Sequence, residues 1–277
     1  MPKKTMETKG KHFNHPKFIL NCSPSEDQER DWGIDVAKRA GVHPHQTTIP
    51  ASTDLREDWW VINNQGHTGT CAGWATADGV LRWHFVKARK LKGDILLSVR
   101  YIYMAAKEVA HKDRPNTFIE LAKANIKDCL EIARKFGVVT EPVLPFEVNA
   151  GAYELYTAGH ENKFYALAAR RRIAHFFNLG KDPAVWQRWL AHNGPIATRL
   201  VVDRKWNNAT NTRGKLDVYD KAHAKAEDGH CVALVGYTPE RFIVRNSWGT
   251  AWGDRGFAYA SKEYAAAAFT EAYGVSL

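Results

Sequence analysis

Apolar residues recur at helical spacing through the first half of the chain. Ala72, Leu81 and Phe85 fall on one face of a helix, and the same period runs through residues 98–112 and 118–136. A shorter helical pattern lies near the N-terminus, over residues 31–40. Apart from that short helix, residues 1–49 are polar and rich in His and Pro, which is typical of an extension.

Glycine and proline mark where the later helices end. Gly137 closes the helix predicted over 118–136, because glycine most easily takes the left-handed conformation found just after a helix. Asp182 precedes a further helix that runs to Leu190 and stops at Gly194. The first half of the chain is therefore predicted to be largely helical.

Short runs of branched and aromatic residues dominate the last third of the chain, with turn-forming residues between them. Such runs are typical of antiparallel strands. The predicted strands are 196–202, 230–237, 241–245 and 256–259. A helical first half followed by a strand-rich second half predicts an α+β fold in which two lobes meet along a groove.

Composition places the chain among soluble proteins. It has 277 residues, 44% of them hydrophobic and 25% charged, and no apolar run approaches the roughly 18 residues that a membrane span needs. The net charge of +9 comes from Lys and Arg spread along the chain, which favours a solvated basic surface. Affinity for nucleic acid is the alternative, with Arg170, Arg171 and Arg172 as its candidates, but no nucleic-acid partner is expected.

The cysteines and the N-terminus bear on the cellular compartment. No secretory signal is visible, because His, Asn and Pro follow the basic start where an apolar stretch would be needed. Four cysteines are too few and too scattered for a disulfide framework. A reduced, cytoplasmic protein is therefore expected, with specialised secretion left open.

One cysteine stands where a glycine-rich turn meets the first long helix. Residues 65–75 read Gln-Gly-His-Thr-Gly-Thr-Cys-Ala-Gly-Trp-Ala, so the helix is predicted to begin at Cys71. The amides and dipole at a helix N-terminus favour a thiolate, which predicts a lowered pKa and a nucleophilic sulfur. An ordinary buried thiol is the alternative, since free cysteines are often buried.

Two later segments favour the nucleophile. His230 opens an apolar strand, and Asn246 follows the next strand after a short turn. If the two strands pair as a hairpin, the Asn246 amide oxygen can accept the imidazole N–H of His230 and fix its tautomer. Cys71, His230 and Asn246 would then supply a nucleophile, a base and an orienting group.

Three blocks of the chain resemble the papain family of cysteine peptidases in the family's own order, namely residues 65–75, 229–237 and 246–259. Gln65 precedes Cys71 by six positions (71 − 65 = 6), as the family's oxyanion-hole glutamine precedes its nucleophile. His230 matches the base and Asn246 the orienting amide. The run Asn-Ser-Trp-Gly-Thr-Ala-Trp-Gly at residues 246–253 is the most specific of these matches.

The resemblance implies a papain-like two-lobe fold, with a helical N-terminal lobe, an antiparallel β-barrel-like C-terminal lobe and the active-site cleft between them. It implies hydrolysis of a peptide or protein substrate through a thioester on Cys71, with the oxyanion held by the Gln65 side chain and the Cys71 amide. No cofactor and no metal are expected, since the cysteines are not spaced as a zinc site.

The resemblance also suggests a division of the chain. Residues 50–277 are predicted to form the peptidase domain, with the helical lobe over about 54–150 and the β-rich lobe over about 195–277. Residues 1–49 are either a short prosegment that lies across the cleft and is removed, or a permanent part of the fold that packs through Phe18, Ile19, Leu20 and Trp32.

The remaining alternatives concern the states of Cys22 and Cys231 and functions other than peptide hydrolysis. Cys22 could form a reversible disulfide with Cys71, although an incidental thiol is favoured, and Cys231 is predicted to pack in the core. An acyl transferase or isopeptidase could use the same residues with an amine as the acceptor. A non-catalytic binding protein is disfavoured, because Gln65, Cys71, His230 and Asn246 are all present.

Overall fold

The computed structural model describes residues 19–45, 48–110, 124–147, 161–227 and 229–277. Three predicted features lie partly outside these residues: the first part of the N-terminal extension, including Phe18, the end of the helix over 98–112, and the start of the helix over 118–136.

Nine α-helices lie within the described residues. They are α1 (Ile34–Arg39), α2 (Cys71–Thr76), α3 (Arg82–Lys87), α4 (Val99–Ala110), α5 (Ile126–Lys135), α6 (Glu161–Ala168), α7 (Pro183–His192), α8 (Arg204–Asn207) and α9 (Lys262–Ala268). A π-helical segment, Ala77–Leu81, joins α2 to α3, so the predicted first long helix is continuous but widened at its centre. None of the helices described is long and apolar enough to span a membrane.

The boundaries of α5 follow from its flanking residues. The Asn125 side chain accepts the backbone N–H of Asp128, and this N-cap starts the helix at Ile126, later than the apolar pattern predicted. Gly137 has a φ of 95°, and its N–H donates to the Ile132 carbonyl, as expected of a glycine that ends a helix.

Eight strands of the described chain form one sheet. They are β1 (Thr53–Asp54), β2 (His175–Asn178), β3 (Ile196–Val201), β4 (Lys215–Leu216), β5 (Gly229–Tyr237), β6 (Arg241–Arg245), β7 (Phe257–Ser261) and β8 (Phe269–Ser276). The strand order is β2-β8-β3-β5-β6-β7-β4, and β1 pairs with the end of β5. All pairs are antiparallel except β4 with β7.

The sheet is open, so the expectation of a barrel-like second lobe is wrong. Strands β2 and β4 stand at opposite ends of the strand order and do not pair with each other. Closing a barrel requires hydrogen bonds between the terminal strands. Here the free edge of β2 instead meets the N-terminal extension, through a bridge between Asn178 and Gly33.

Strand β5 is buried on both faces, which explains its unbroken apolar sequence. Cys231, Ala233 and Val235 belong to the core shared with the helices of the first half of the chain. Val232 and Leu234 face the other way, into a second core built with α7 and α9. Successive strand residues point to opposite faces, so a strand between two cores needs apolar residues at every position.

A buried ionic cluster joins the helical half to the sheet. Asp78, in the π-helical segment, accepts from Arg82 of α3 at 2.9 Å and from Arg245 of β6 at 2.5 Å. Arg245 also donates to the carbonyls of Trp60 and Val61. All three charged side chains are almost completely buried. The carboxylate therefore compensates two guanidinium groups that have left water.

Replacing Asp78 should destabilise the chain strongly. We expect Asp78→Ala to lower the free energy of unfolding by about 3–5 kcal/mol, because it leaves two buried cations without their anion. Glu57→Ala is the matched control: it removes the partner of half-exposed Lys87 and should cost about 1 kcal/mol or less. Urea unfolding followed by circular dichroism measures both. Equal losses in the two variants would contradict a structural function for the cluster.

Candidate active site

Cys71 is the first residue of α2 and is fully buried. The turn before it is held by Thr68, whose hydroxyl donates to the Gln65 carbonyl at 2.7 Å and lies 2.7 Å from the Thr70 hydroxyl. This turn brings the chain sharply into the helix and places the sulfur where α2 packs against β5. The backbone amide of Cys231, the residue after His230, lies close to the Cys71 sulfur.

His230 and Asn246 meet because β5 and β6 form a hairpin. Ala233 pairs with Arg245, the last residue of β6, so the next residue, Asn246, returns towards the start of β5. There the His230 Nε2 lies 2.8 Å from the Asn246 Oδ1. Both side chains are buried. The hairpin that the sequence predicted therefore places the amide beside the imidazole.

The contacts of Asn246 fix the protonation of the ring. Its Oδ1 also accepts the backbone N–H of Ser247 at 2.8 Å, and a backbone N–H can only donate. The atom facing His230 is thus the oxygen, and Nε2 must carry the hydrogen. Nδ1 is left with a lone pair and has no hydrogen-bond partner among the described residues. Nδ1 is therefore the ring nitrogen whose lone pair can take up a proton.

Two tryptophans pack on the His230 ring at this hydrogen bond, and a third packs against them. The Trp248 ring lies 4.7 Å from the His230 ring, centroid to centroid, and is itself almost fully buried. Trp206 packs edge-on against His230 at 5.9 Å, and Trp252 packs against Trp206 at 4.7 Å. Water is kept away, so the bond is stronger than it would be at the surface. The sequence run at 246–253 pointed to Trp248 and Trp252, but not to Trp206.

Gln65 links the turn before Cys71 to the segment that carries Asn246. Its backbone N–H donates to the Ser247 carbonyl, and its side-chain oxygen accepts from the Ser247 hydroxyl at 2.8 Å. Its Nε2 donates to the Thr68 carbonyl at 2.9 Å. An amide nitrogen has two hydrogens, so one remains for another acceptor. The structure gives Gln65 no hydrogen bond to Cys71.

The electrostatics of the site differ from the expectation for a helix N-terminus. Burial raises the pKa of the Cys71 thiol, and the amides of Cys231 and Asn21 oppose this rise without reversing it. Burial also lowers the pKa of His230 to about 4, against the opposing hydrogen bond from Asn246. The lowered thiol pKa predicted from the sequence is therefore wrong for this covered state, which holds a neutral thiol and a neutral imidazole.

A short N-terminal segment, residues 19–25, covers the site and is called the strap. The N–H of Cys22 donates to the Gly229 carbonyl at 3.1 Å, and that of Ser23 to the Ala124 carbonyl at 3.2 Å, so the strap bridges the sheet and the helical half. A Cβ on Gly229 would stand 2.1 Å from the Cys22 carbonyl oxygen. A Cβ on Gly69 would stand 2.5 Å from the Asn21 side chain. Glycines on both sides thus make room for the strap.

Two buried charged residues beside the strap were missed by sequence reasoning. Arg199 of β3 donates through Nε to the Cys22 carbonyl at 3.1 Å, and Glu271 of β8 accepts the Ser25 N–H at 2.9 Å. These residues are direct partners in the sheet. The available signal was a single charged residue inside each of two strand sequences that otherwise contain only uncharged, mainly apolar residues.

The disulfide in the structure is not the one that the sequence suggested as a possibility. Cys22 and Cys231 form a disulfide with Cα atoms 6.4 Å apart, whereas Cys71 and Cys129 are free. A separation of 6.4 Å lies within the usual range for a disulfide. The Cys22–Cys71 bond considered from the sequence is not present, and Cys231, although buried as predicted, is not a free core thiol.

The described residues contain no cluster of three His, Cys, Asp or Glu side chains that could hold a metal ion.

Comparison with protein families identifies one family over most of the chain. The model of the papain family cysteine protease matches residues 49–274. Among curated proteins, mouse (Mus musculus) cathepsin K is 26% identical over 226 residues, which are 76% of this chain and 59% of that protein. The chain thus spans about three fifths of the length of the curated relatives it matches first.

Solved structures support the same fold. Xylellain, a cysteine protease from Xylella fastidiosa, superposes with a TM-score of 0.74 at 19% identity and covers 93% of this chain and 95% of its own. The digestive procathepsin L2 proteinase of Tenebrio molitor larval midgut gives a TM-score of 0.64 at 20% identity, covering 94% and 77%. These likenesses confirm the predicted two-lobed α+β fold.

The protonation of His230 can be measured directly. We expect nitrogen chemical shifts of the covered chain to show a neutral ring with the hydrogen on Nε2, titrating near pH 4 because burial disfavours the charged form. This folded-state pKa is below the unfolded value of about 6.5. The unfolded chain therefore takes up this proton first, and the contribution of His230 to stability falls as the pH drops from 6.5 towards 4.

Asn246→Ala should remove the preference of the His230 ring for the tautomer with its hydrogen on Nε2. Without Oδ1 as acceptor, the hydrogen is expected to distribute between Nε2 and Nδ1, which nitrogen shifts distinguish. Asn193→Ala is the matched control, because Asn193 is the partner of His43 and lies away from this site. It should leave the His230 signals unchanged. A wild-type ring with its hydrogen on Nδ1 would contradict the orienting function of Asn246.

Proposed function

The chain belongs to the papain family of cysteine proteases, as its motifs predicted, and we propose that it hydrolyses peptide bonds in peptide or protein substrates with Cys71 as the nucleophile. In this proposal His230 is the base and acid, Asn246 orients His230, and Gln65 helps to hold the oxyanion. The reaction requires the strap to leave, because Cys71 and His230 are fully buried beneath it.

The first step is attack on the peptide carbonyl. His230 takes the thiol proton through Nδ1, and the Cys71 sulfur bonds to the carbonyl carbon. The negative charge that develops on the carbonyl oxygen is stabilised by the Cys71 backbone N–H and by the second hydrogen of the Gln65 amide. The oxygen then reforms the carbonyl as the C–N bond breaks, and His230 gives its proton to the leaving amine.

The second step releases the acyl group. His230, neutral again, takes a proton from water, and the resulting hydroxide attacks the thioester carbonyl. The C–S bond breaks, the carboxylic acid leaves, and the thiol regains its proton from His230. Each step uses Nδ1, so each depends on Asn246 holding the hydrogen at Nε2.

One observation carries the proposal: the hydrogen bond between His230 Nε2 and Asn246 Oδ1, enclosed by Trp248, with Nδ1 unpartnered. Buried polar atoms in proteins are nearly always hydrogen-bonded, so an unpartnered basic nitrogen is costly for a purely structural site. A proton-transfer function explains why it is retained.

The proposal includes intramolecular inhibition by the N-terminal extension. The strap lies where a substrate would have to approach Cys71, and one of the structural relatives described above is a procathepsin. Residues that follow the strap also pack on the protein: Asp31 accepts from Lys127 at 2.6 Å and from the Tyr273 hydroxyl at 2.8 Å. We therefore favour a permanent extension over a discarded one.

Peptide hydrolysis under reducing conditions tests the catalytic assignment. With quenched fluorescent peptides and dithiothreitol present, Cys71→Ala should lose at least about 10³-fold in kcat/KM. Gln65→Ala should lose about 10²–10³-fold in kcat, as for other oxyanion donors. Cys129→Ala is the control, because it removes the other free buried thiol and should retain activity. Hydrolysis that survives in Cys71→Ala would overturn the assignment.

Intact mass decides whether the extension is cut off. We expect the reduced wild type and Cys71→Ala to differ only by the substituted atoms, since residues beyond the strap are packed into the fold. Incubation at high protein concentration, with aliquots taken over time, gives self-cleavage its best chance. A wild-type product that lacks N-terminal residues, absent from Cys71→Ala, would show self-processing instead.

A further inference from the structure

The only disulfide among the described residues joins the strap to the active site. Cys22 lies within the strap, and Cys231 follows His230 directly on β5. The bond connects residues 209 positions apart in the sequence. It is therefore placed to control whether the strap can leave, and it does not reinforce any local element.

The other contacts that hold the strap over the site are individually weak. Its backbone makes one hydrogen bond to Gly229 and one to Ala124, and Arg199 and Glu271 each add one from a side chain. The Asn21 and Ser25 side chains add two long hydrogen bonds of 3.4 Å each, and half-buried Leu20 packs against the second core. Single hydrogen bonds of this kind add little net stability, because water replaces them when the segment opens. A covalent bond has no such replacement. The disulfide is accordingly the contact that decides how often the strap opens.

We propose that the Cys22–Cys231 disulfide is a redox latch that keeps the strap over Cys71, and that its reduction opens the site. This inference rests on the proposed function, since it names the regulation of the same active site. The oxidised chain is the closed, inactive form. The reduced chain exchanges between closed and open forms, and Cys71 becomes accessible in the open one.

The chemistry requires a dithiol reductant. A thiolate of the dithiol attacks one sulfur of the Cys22–Cys231 bond, giving a mixed disulfide and releasing the other cysteine as a thiolate, which takes up a proton. The second thiol of the reductant then displaces the first cysteine. Two electrons pass to the protein, which gains two thiols, and the reductant leaves as its own disulfide. Both sulfur atoms are buried, so the first attack follows a local opening of the strap.

Alkylation of Cys71 measures how often the site opens. Full-length protein is oxidised with glutathione disulfide, or reduced with dithiothreitol and desalted, then exposed to iodoacetamide for set times. Peptide mass spectrometry quantifies the label on Cys71. Alkylation after denaturation, without reductant, verifies that Cys71 is a free thiol in both samples, so that slow labelling reports covering and not oxidation.

In the oxidised wild type we expect Cys71 to be alkylated at least about tenfold more slowly than in the reduced wild type, because only the open fraction reacts. Cys22→Ser cannot form the latch and should be alkylated rapidly with or without reductant. Cys129→Ser, which removes a buried cysteine outside the pair, should retain the dependence on reductant.

Several results would contradict the proposal that the Cys22–Cys231 disulfide is a redox latch. Equal alkylation of oxidised and reduced wild type would do so, as would slow alkylation of unreduced Cys22→Ser. Peptide maps without reductant must contain the Cys22–Cys231 link, and a Cys22–Cys71 link or two free thiols after oxidation would contradict it.

The same samples separate the latch from the proposed peptidase activity. If reduction speeds alkylation of Cys71 but no peptide is hydrolysed, the latch stands and the proposed activity fails. If peptides are hydrolysed at the same rate while the disulfide is intact, the activity stands and the latch fails.

Discussion

The close approach of the central helix to strand β5 is the constraint on which the site depends. Gly79 lines the contact, and a Cβ there would stand only 2.9 Å from the Cβ of Ala233. A second glycine, Gly73, brings the same helix close to α4, since a Cβ there would stand 3.0 Å from the Val99 carbonyl oxygen. With so little space, the start of the helix and the start of β5 are held together, which places Cys71 beside the segment of His230.

The buried charges around Asp78 then fix the helix against β6, so that the strand leading to Asn246 is held by the same junction.

The parts of the site that are formed by segments close together in the sequence could be predicted from it. His230 and Asn246 lie at the ends of two consecutive strands, and a hairpin between such strands brings them together. The glycine-rich turn likewise predicted that a helix begins at Cys71, which is where α2 starts. Strands β2 and β8 escaped prediction, because they join the sheet through partners distant in sequence, such as β3 for β8. The strap and its disulfide escaped for the same reason: no local pattern relates Cys22 to a cysteine 209 residues away.

The pKa of Cys71 shows how tertiary burial overrides a local effect. A helix N-terminus stabilises a nearby negative charge by about 0.3–1 kcal/mol when exposed. Removing a charge from water costs several kcal/mol even after the protein relaxes. Beneath the strap the second effect is larger, so the pKa of the thiol rises although α2 begins at that residue. The neutral Cys71 and His230 of the covered site follow from the same cost, and exposure to water removes it for both residues at once.

The covering and anchoring functions of the N-terminal extension are carried by different residues. The strap touches the site through single hydrogen bonds and one disulfide, whereas the residues after it are fixed by a buried carboxylate at Asp31 and by the pairing of Trp32 with Asn178. Between the two parts, Asp27 has a left-handed backbone, with a φ of 48°. Because the anchor does not rely on the strap, uncovering Cys71 requires the loss of a few hydrogen bonds and removes only Cys22 from the first core and Leu20 from contact with the second. Local opening of this kind costs far less than unfolding, which is the condition for a covered active site to be used repeatedly.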